Sequence, residues 1–178
     1  MSVLVAYASR HGSTAGIAER IAATLRDRGL QAEAVPIREV RRPESYDAFV
    51  IGSAVYMFRW LKDAPRFIHR RRALLASRPV WLFSSGPVGP DVPDKEGRKP
   101  RDVADPRELS GLAAEVRARG RRVFFGAFDP AGPRTGLMEK VALALPAARA
   151  AFPAGDFRNW PEIEAWADEI AAELGARA

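Results

Sequence analysis

The chain has no cysteine. That excludes disulfides, thiolate metal sites and thiol nucleophiles together. Histidine occurs only twice, as His11 and His69, so no histidine-based metal centre is expected. No apolar run approaches the roughly 20 residues that cross a bilayer. No secretory signal is expected either, because a short strand begins at residue 3. The expected compartment is the cytoplasm, with peripheral contact to a membrane as the alternative. Two nucleotide signatures are missing: there is no GxxxxGK[ST] and no GxGxxG. No recognition motif or aromatic–basic platform points to nucleic acid. The formal charge of +6 over 178 residues instead suits anionic small molecules, anionic lipid or acidic proteins. Repeats and interdomain linkers are absent, and a single domain is expected.

What is present is organised around the stretch from Val3 to Thr14. Val3 to Ala8 is nearly all apolar, which fits a parallel strand covered on both faces. Ser9, Arg10, His11, Gly12, Ser13 and Thr14 then form a hydroxyl-rich turn. A helix over 14–28 follows, with Ile17, Ile21, Ala22 and Leu25 on one stripe. A strand that delivers such a turn to a helix N-terminus makes an anion site, because free N–H groups and the positive end of the helix dipole converge there. The alternative is an ordinary turn with Ser13 or Thr14 as the helix cap.

Further strands are expected over 31–37, 46–53, 80–83 and 122–128. Helices are expected over 62–76, 108–119, 137–145 and 160–174, the last with Asn159 as its cap and Pro161 in its first turn. The segment 54–60 is unusually aromatic for a loop, and Gly52 before it is suited to a turn or a close ligand approach. The run from His69 to Arg72 reads first as a solvated basic face. The segment 87–106 is long, irregular and rich in proline. Strands alternating with helices indicate an α/β protein with a parallel sheet covered on both faces. In such sheets ligands bind beyond the C-terminal strand ends. Three segments meet that condition: 9–14, which suits a phosphate; 54–60, which offers aromatic surface; and 85–90, which offers backbone donors. A phosphate tail on a flat, hydrogen-bonding ring would satisfy all three.

At this level the chain resembles the flavodoxin-like family, which binds FMN. The turn Ser9–Thr14 is similar to that family's hydroxyl–x–x–Gly–polar–Thr phosphate loop, and Tyr46–Ser53 resembles its third strand. Within the family the chain resembles the menaquinone-dependent protoporphyrinogen dehydrogenase branch most. The run Gly52–Tyr56, the long segment 87–106 and the tail Asp156–Trp160 carry that likeness, whereas 129–136 departs from it. The resemblance implies a three-layer, doubly wound fold of five parallel strands in the order 2-1-3-4-5. It implies FMN as cofactor and no metal. Ser9, Ser13, Thr14 and the N–H groups of residues 10–14, Gly12 among them, would hold the phosphate. Ala54, Val55, Tyr56 and Met57 would flank the ring, with Tyr56 on its face. Ser85, Gly86, Pro87, Val88 and Gly89 would reach the ring edge. Met57, Phe58 and Trp60 are read more as packing residues, and Trp60 alternatively as shaping the substrate opening. Arg59, Arg66, Arg70, Arg98 and Arg101 are candidate contacts for an anionic substrate.

The implied activity is an FMN-dependent oxidoreductase passing electrons from an organic substrate, such as a carboxylated tetrapyrrole, to a quinone-like acceptor. No acid–base residue is nominated as catalytic, since the redox chemistry belongs to the cofactor. Two alternatives stay open: an electron carrier docking to a redox partner, and an interaction module without flavin.

Overall fold

The computed structural model describes residues 1–86, 88–89, 92, 97, 99–100, 106, 108–129 and 154–175. The chain opens with β1 (Ser2–Ala8), α1 (Ser13–Asp27) and β2 (Gln31–Pro36). Then come β3 (Ala48–Tyr56), the short β4 (Arg59–Trp60), α2 (Asp63–Arg70), α3 (Arg72–Ala76) and β5 (Val80–Ser85). The remaining elements are α4 (Leu109–Glu115), β6 (Gly120–Phe124), β7 (Ala127–Phe128), β8 (Gly155–Asp156) and α5 (Trp160–Glu173).

Five strands pair in parallel in the order β2-β1-β3-β5-β6. This is the expected 2-1-3-4-5 arrangement, with β4 counted separately as a hairpin partner of β3. Alternate residues of the central strands feed opposite faces, as the pleat requires. Val3, Val5, Val50, Trp81 and Phe83 pack with α1 and α5. Leu4, Ala6, Phe49, Ile51 and Leu82 pack with α2, α3 and α4. Both sides of every central strand are therefore buried, which is why their sequences read as unbroken apolar runs. In α1, Ile17, Ile21 and Leu25 are fully buried, each contributing about 2 kcal/mol through removal from water.

The structure corrects several expectations. Gly52 does not serve a ligand. It lies directly opposite Phe83 in the β3–β5 register, and a Cβ there would fall 2.0 Å from the Phe83 ring. Glycine is present to make room for that ring, which packs against Phe124 and Trp166. The helix expected over 62–76 is two helices, broken at Arg71. The helix expected over 108–119 ends at Glu115, because Arg117 turns left-handed (φ 54°). There the Ala118 N–H donates to the Ala113 carbonyl and the Arg117 N–H to that of Ala114, so an arginine closes the helix where Gly120 was expected to. The strand expected over 122–128 leaves the sheet after Phe124, and β7 pairs instead with β8. The helix expected over 137–145 and most of the segment 87–106 lie outside the described residues.

Candidate functional site

The ends of β1, β3, β5 and β6 bring the expected loops to one edge of the sheet. In the first, the Ser9 hydroxyl accepts the Gly12 N–H at 3.1 Å, folding the turn back on itself. Gly12 is left-handed (φ 84°), a conformation that costs other residues roughly 1–2 kcal/mol. Its carbonyl accepts the Gly16 N–H at 2.9 Å, which starts α1. No side chain caps this helix, and its first turn carries no acidic residue. The capped-turn alternative is therefore not what is built: neither Ser13 nor Thr14 caps α1.

Both hydroxyls have other surroundings. Ser13 Oγ accepts the Ala127 N–H at 2.8 Å, which leaves its own proton to donate elsewhere. Thr14 is 1% exposed, and its Oγ1 is buried without a hydrogen-bond partner. An orphaned buried hydroxyl costs about 1–3 kcal/mol, so its presence beside an uncapped helix start fits an anionic guest that would satisfy it. The donor set is neutral hydroxyls and backbone amides at a helix dipole, which suits a phosphate.

The second segment is a hairpin, not a loop. Val55 pairs with Trp60 and Tyr56 with Arg59, leaving Met57 and Phe58 as a two-residue turn at φ 51° and 59°. Its base is pinned. The Trp60 indole N–H donates to Ser84 Oγ at 2.8 Å, its backbone N–H donates to Glu108 Oε1 at 2.9 Å, and the Leu61 N–H donates to Ser53 Oγ at 3.0 Å. Trp60 is thus buried framework rather than an opening. Met57 and Phe58, expected to pack, are 89% and 59% exposed. Ala54, Val55 and Tyr56 are half-buried. The Tyr56 ring reaches back over the anion loop, with the Arg10 guanidinium 4.6 Å from its centroid and the His11 ring 6.2 Å away.

In the third segment Ser85 is buried, Gly86 and Val88 half-buried and Gly89 buried; Pro87 lies outside the described residues. The Gly86 N–H donates to the Phe124 carbonyl at 3.2 Å. Arg59, Arg66 and Arg70 are exposed on the hairpin and α2, and Arg98 and Arg101 lie outside the described residues. In the basic run, His69 meets Glu115 at 2.9 Å and the three arginines are exposed.

Two further residues belong to the site. Gly126 brings the loops together: a Cβ there would lie 3.3 Å from Ser13 Oγ and 3.4 Å from Ser85 Oγ. A glycine inside an apolar strand pattern was its only signal. Arg158 lines a cavity of about 560 Å³ together with His11, Gly12, Ser13 and Phe128. It forms a two-pronged pair with Asp156, whose carboxyl is held below the usual carboxylate range chiefly by that bond, against a smaller opposing effect of burial. Among the described residues no helix is long and apolar enough to cross a membrane.

Residues 4–147 match the family model described as Flavodoxin domain. Among curated proteins, the chain is 28% identical over 86 residues to protoporphyrinogen IX dehydrogenase (quinone) of Escherichia coli strain K12. That match covers 47% of this chain and 48% of the relative, so the chain spans about half the length of the curated relatives it matches. Among solved structures, an archaeal flavodoxin superposes with a TM-score of 0.60 at 15% identity, covering 98% of this chain and 99% of the other. A point mutant of Pseudomonas aeruginosa flavodoxin gives 0.60 at 16% identity, with the same coverage. Rubredoxin oxygen:oxidoreductase of Desulfovibrio gigas gives 0.58 at 13% identity, covering 98% of this chain and 36% of the larger protein. These likenesses establish the fold.

Proposed function

Because the chain belongs to the flavodoxin-domain family, which typically binds FMN, we propose that it is an FMN-dependent oxidoreductase. In this reading it takes electrons from an organic substrate and passes them to a quinone-like acceptor, as the name of its Escherichia coli relative suggests. The observation that carries the cofactor assignment is the uncapped start of α1 with the orphaned Thr14 hydroxyl beside it. Ser9, Ser13, Thr14 and the amides of residues 10, 11, 13 and 14 hold the phosphate, while the Gly12 amide holds the turn through Ser9. Tyr56 offers its ring to one face of the flavin, and flat π systems attract in that arrangement. The amides of Val88 and Gly89 serve the hydrogen-bonding edge of the ring, with Ser85 and Gly86 bordering it, and we include Pro87 among the ring contacts. Ala54, Val55 and Met57 border the ring from the hairpin. Bound flavin supplies the electron transfer; the protein orients it and sets its surroundings.

The exposed cations Arg59, Arg66 and Arg70 favour an acidic substrate or partner, or an anionic membrane surface where a quinone would be met. We place the protein in the cytoplasm or peripherally on such a surface, as a single domain.

The test has two stages. The purified protein should be yellow, with flavin absorbance that survives desalting; a colourless protein that does not take up added FMN would sink the reading. The FMN-loaded protein should then be reduced when mixed anaerobically with protoporphyrinogen and be reoxidised by a menaquinone analogue. Flavin that ignores protoporphyrinogen but exchanges electrons with a reductase would make it an electron carrier instead.

A further inference from the structure

Arg158 is far from the anion loop in sequence, yet three restraints fix it beside that loop. Its Nε donates to Asp156 Oδ1 at 2.8 Å and its Nη2 to Oδ2 at 2.6 Å. Its backbone N–H donates to the same carboxylate at 3.1 Å. Its guanidinium lies over the Trp160 ring, 4.4 Å from the centroid. The side chain is only 18% exposed. An arginine ordered to this degree has already lost most of the rotamer freedom that binding would otherwise have to remove.

One nitrogen is left over. Nη1 makes no hydrogen bond among the described residues, and it faces the first turn of α1: a Cβ on Gly16 would fall 2.5 Å from it. Glycine at 16 leaves the space that brings this nitrogen close to the helix start. The cavity that Arg158 lines is also lined by Gly12 and Ser13 of the anion loop, and by the carboxylates of Asp129 and Asp156. A cation near a helix N-terminus is unfavourable by itself; no acidic residue of that turn offsets it, and Asp156 pairs with it only through Nε and Nη2. The orphaned Thr14 hydroxyl is a second, independent sign that the region is built for something it does not itself contain. A dianion between the helix start and Nη1 would satisfy both the spare nitrogen and the orphaned hydroxyl.

We propose that Arg158 is a binding residue for the 5′-phosphate of the flavin, reaching it through Nη1 from the cavity that the anion loop also lines. Asp156 is the positioning residue that aims it. The proposal rests on the FMN reading above and adds to it a source of discrimination: the phosphorylated flavin gains a charge-assisted bond that riboflavin cannot make.

The experiment compares apoprotein of the wild type, Arg158→Gln and Arg158→Lys, each titrated with FMN and with riboflavin by flavin fluorescence. Loss of a hydrogen bond to a charged group predicts an FMN Kd raised about 10–100-fold in Arg158→Gln, with riboflavin changed less than about twofold. Arg158→Lys should recover part of the FMN affinity, since the charge returns without the fork. Equal weakening of both flavins would make Arg158 a structural residue and overturn the proposal, as would unchanged FMN binding. If Arg158→Gln does not fold, Arg158→Lys decides: its FMN-to-riboflavin preference must fall by at least about threefold. A wild type that binds neither flavin defeats the FMN reading itself, which separates that failure from failure of the Arg158 assignment.

Discussion

Two turns leave the same edge of the sheet, and they are built in opposite ways. The anion loop places its single left-handed residue on glycine, turns the Ser13 hydroxyl toward Ala127 and buries Thr14. The hairpin puts two left-handed residues on Met57 and Phe58 and exposes both side chains. Type I′ turns of this kind are ordinarily made with Asn-Gly. The loop thus works through its backbone and uses its side chains to shape it. The hairpin accepts backbone strain in order to display its side chains. Strain at non-glycine residues persists only where the surroundings over-determine it, and the pinned base of the hairpin does so through Trp60, Ser84, Glu108 and Ser53.

The contrast can be broken most severely at that base. Trp60→Ala should destabilise the protein by about 3–5 kcal/mol, read as a lowered urea midpoint. A loss below about 1 kcal/mol would mean that the hairpin is not held by its tryptophan. On the loop side, Thr14→Val keeps the shape and deletes the orphaned hydroxyl. The apoprotein should gain about 1 kcal/mol of stability, while FMN affinity drops about tenfold. Urea unfolding and a flavin titration on the same variant give the two signs. Parallel changes, both up or both down, would contradict a hydroxyl reserved for a guest.

The sequence showed the two turns unequally. Strands β1, β3 and β5 were legible because each is buried on both faces and so reads as an apolar run. The anion loop was legible because Ser9, Gly12 and Ser13 stand close to one another in the chain. The hairpin was not, because Met57 and Phe58 carry none of the residues that mark a tight turn. Trp60 was legible as a packing residue, but its partner was not, because Ser84 lies 24 residues away. Arg158 and Gly126 were invisible as site residues, since only the tertiary fold brings them to the start of α1. Arg117 ends α4 in a conformation that glycine usually takes, so the expected helix boundary fell too late in the chain.

Relieving the strain sharpens the comparison. The double variant Met57→Asn, Phe58→Gly should stabilise the fold by about 0.5–1 kcal/mol, again read in urea, and leave FMN affinity unchanged if Met57 only borders the ring. Acid gives the smallest effect and acts at the other end of the strands. Asp47 is held below its ordinary range chiefly by accepting the Ser2 backbone N–H, with help from the Ser2 hydroxyl. Asp168 is held low chiefly by its bond to Arg28. Each lowered carboxyl contributes stability that is present above its unfolded value, about 3.9, and is lost as pH falls through the lower folded value. The urea midpoint should therefore decline below about pH 4, and Asp47→Asn should flatten part of that decline. An equally steep decline in the variant would remove Asp47 from the account.

The bond from Ala127 to Ser13 has a consequence for the order of events during synthesis. Its partners are separated by 114 residues, so the loop is made that whole span before Ala127. Strand β1 sits between β2 and β3, so it is an interior strand made before both of its neighbours, and its loop stays incomplete until the chain has been made past Ala127. A nascent chain therefore has the hydroxyls of the phosphate loop long before it has the means to orient them. On the proposed FMN reading, acquisition of the flavin is a late step, a report that the distant half of the chain has arrived.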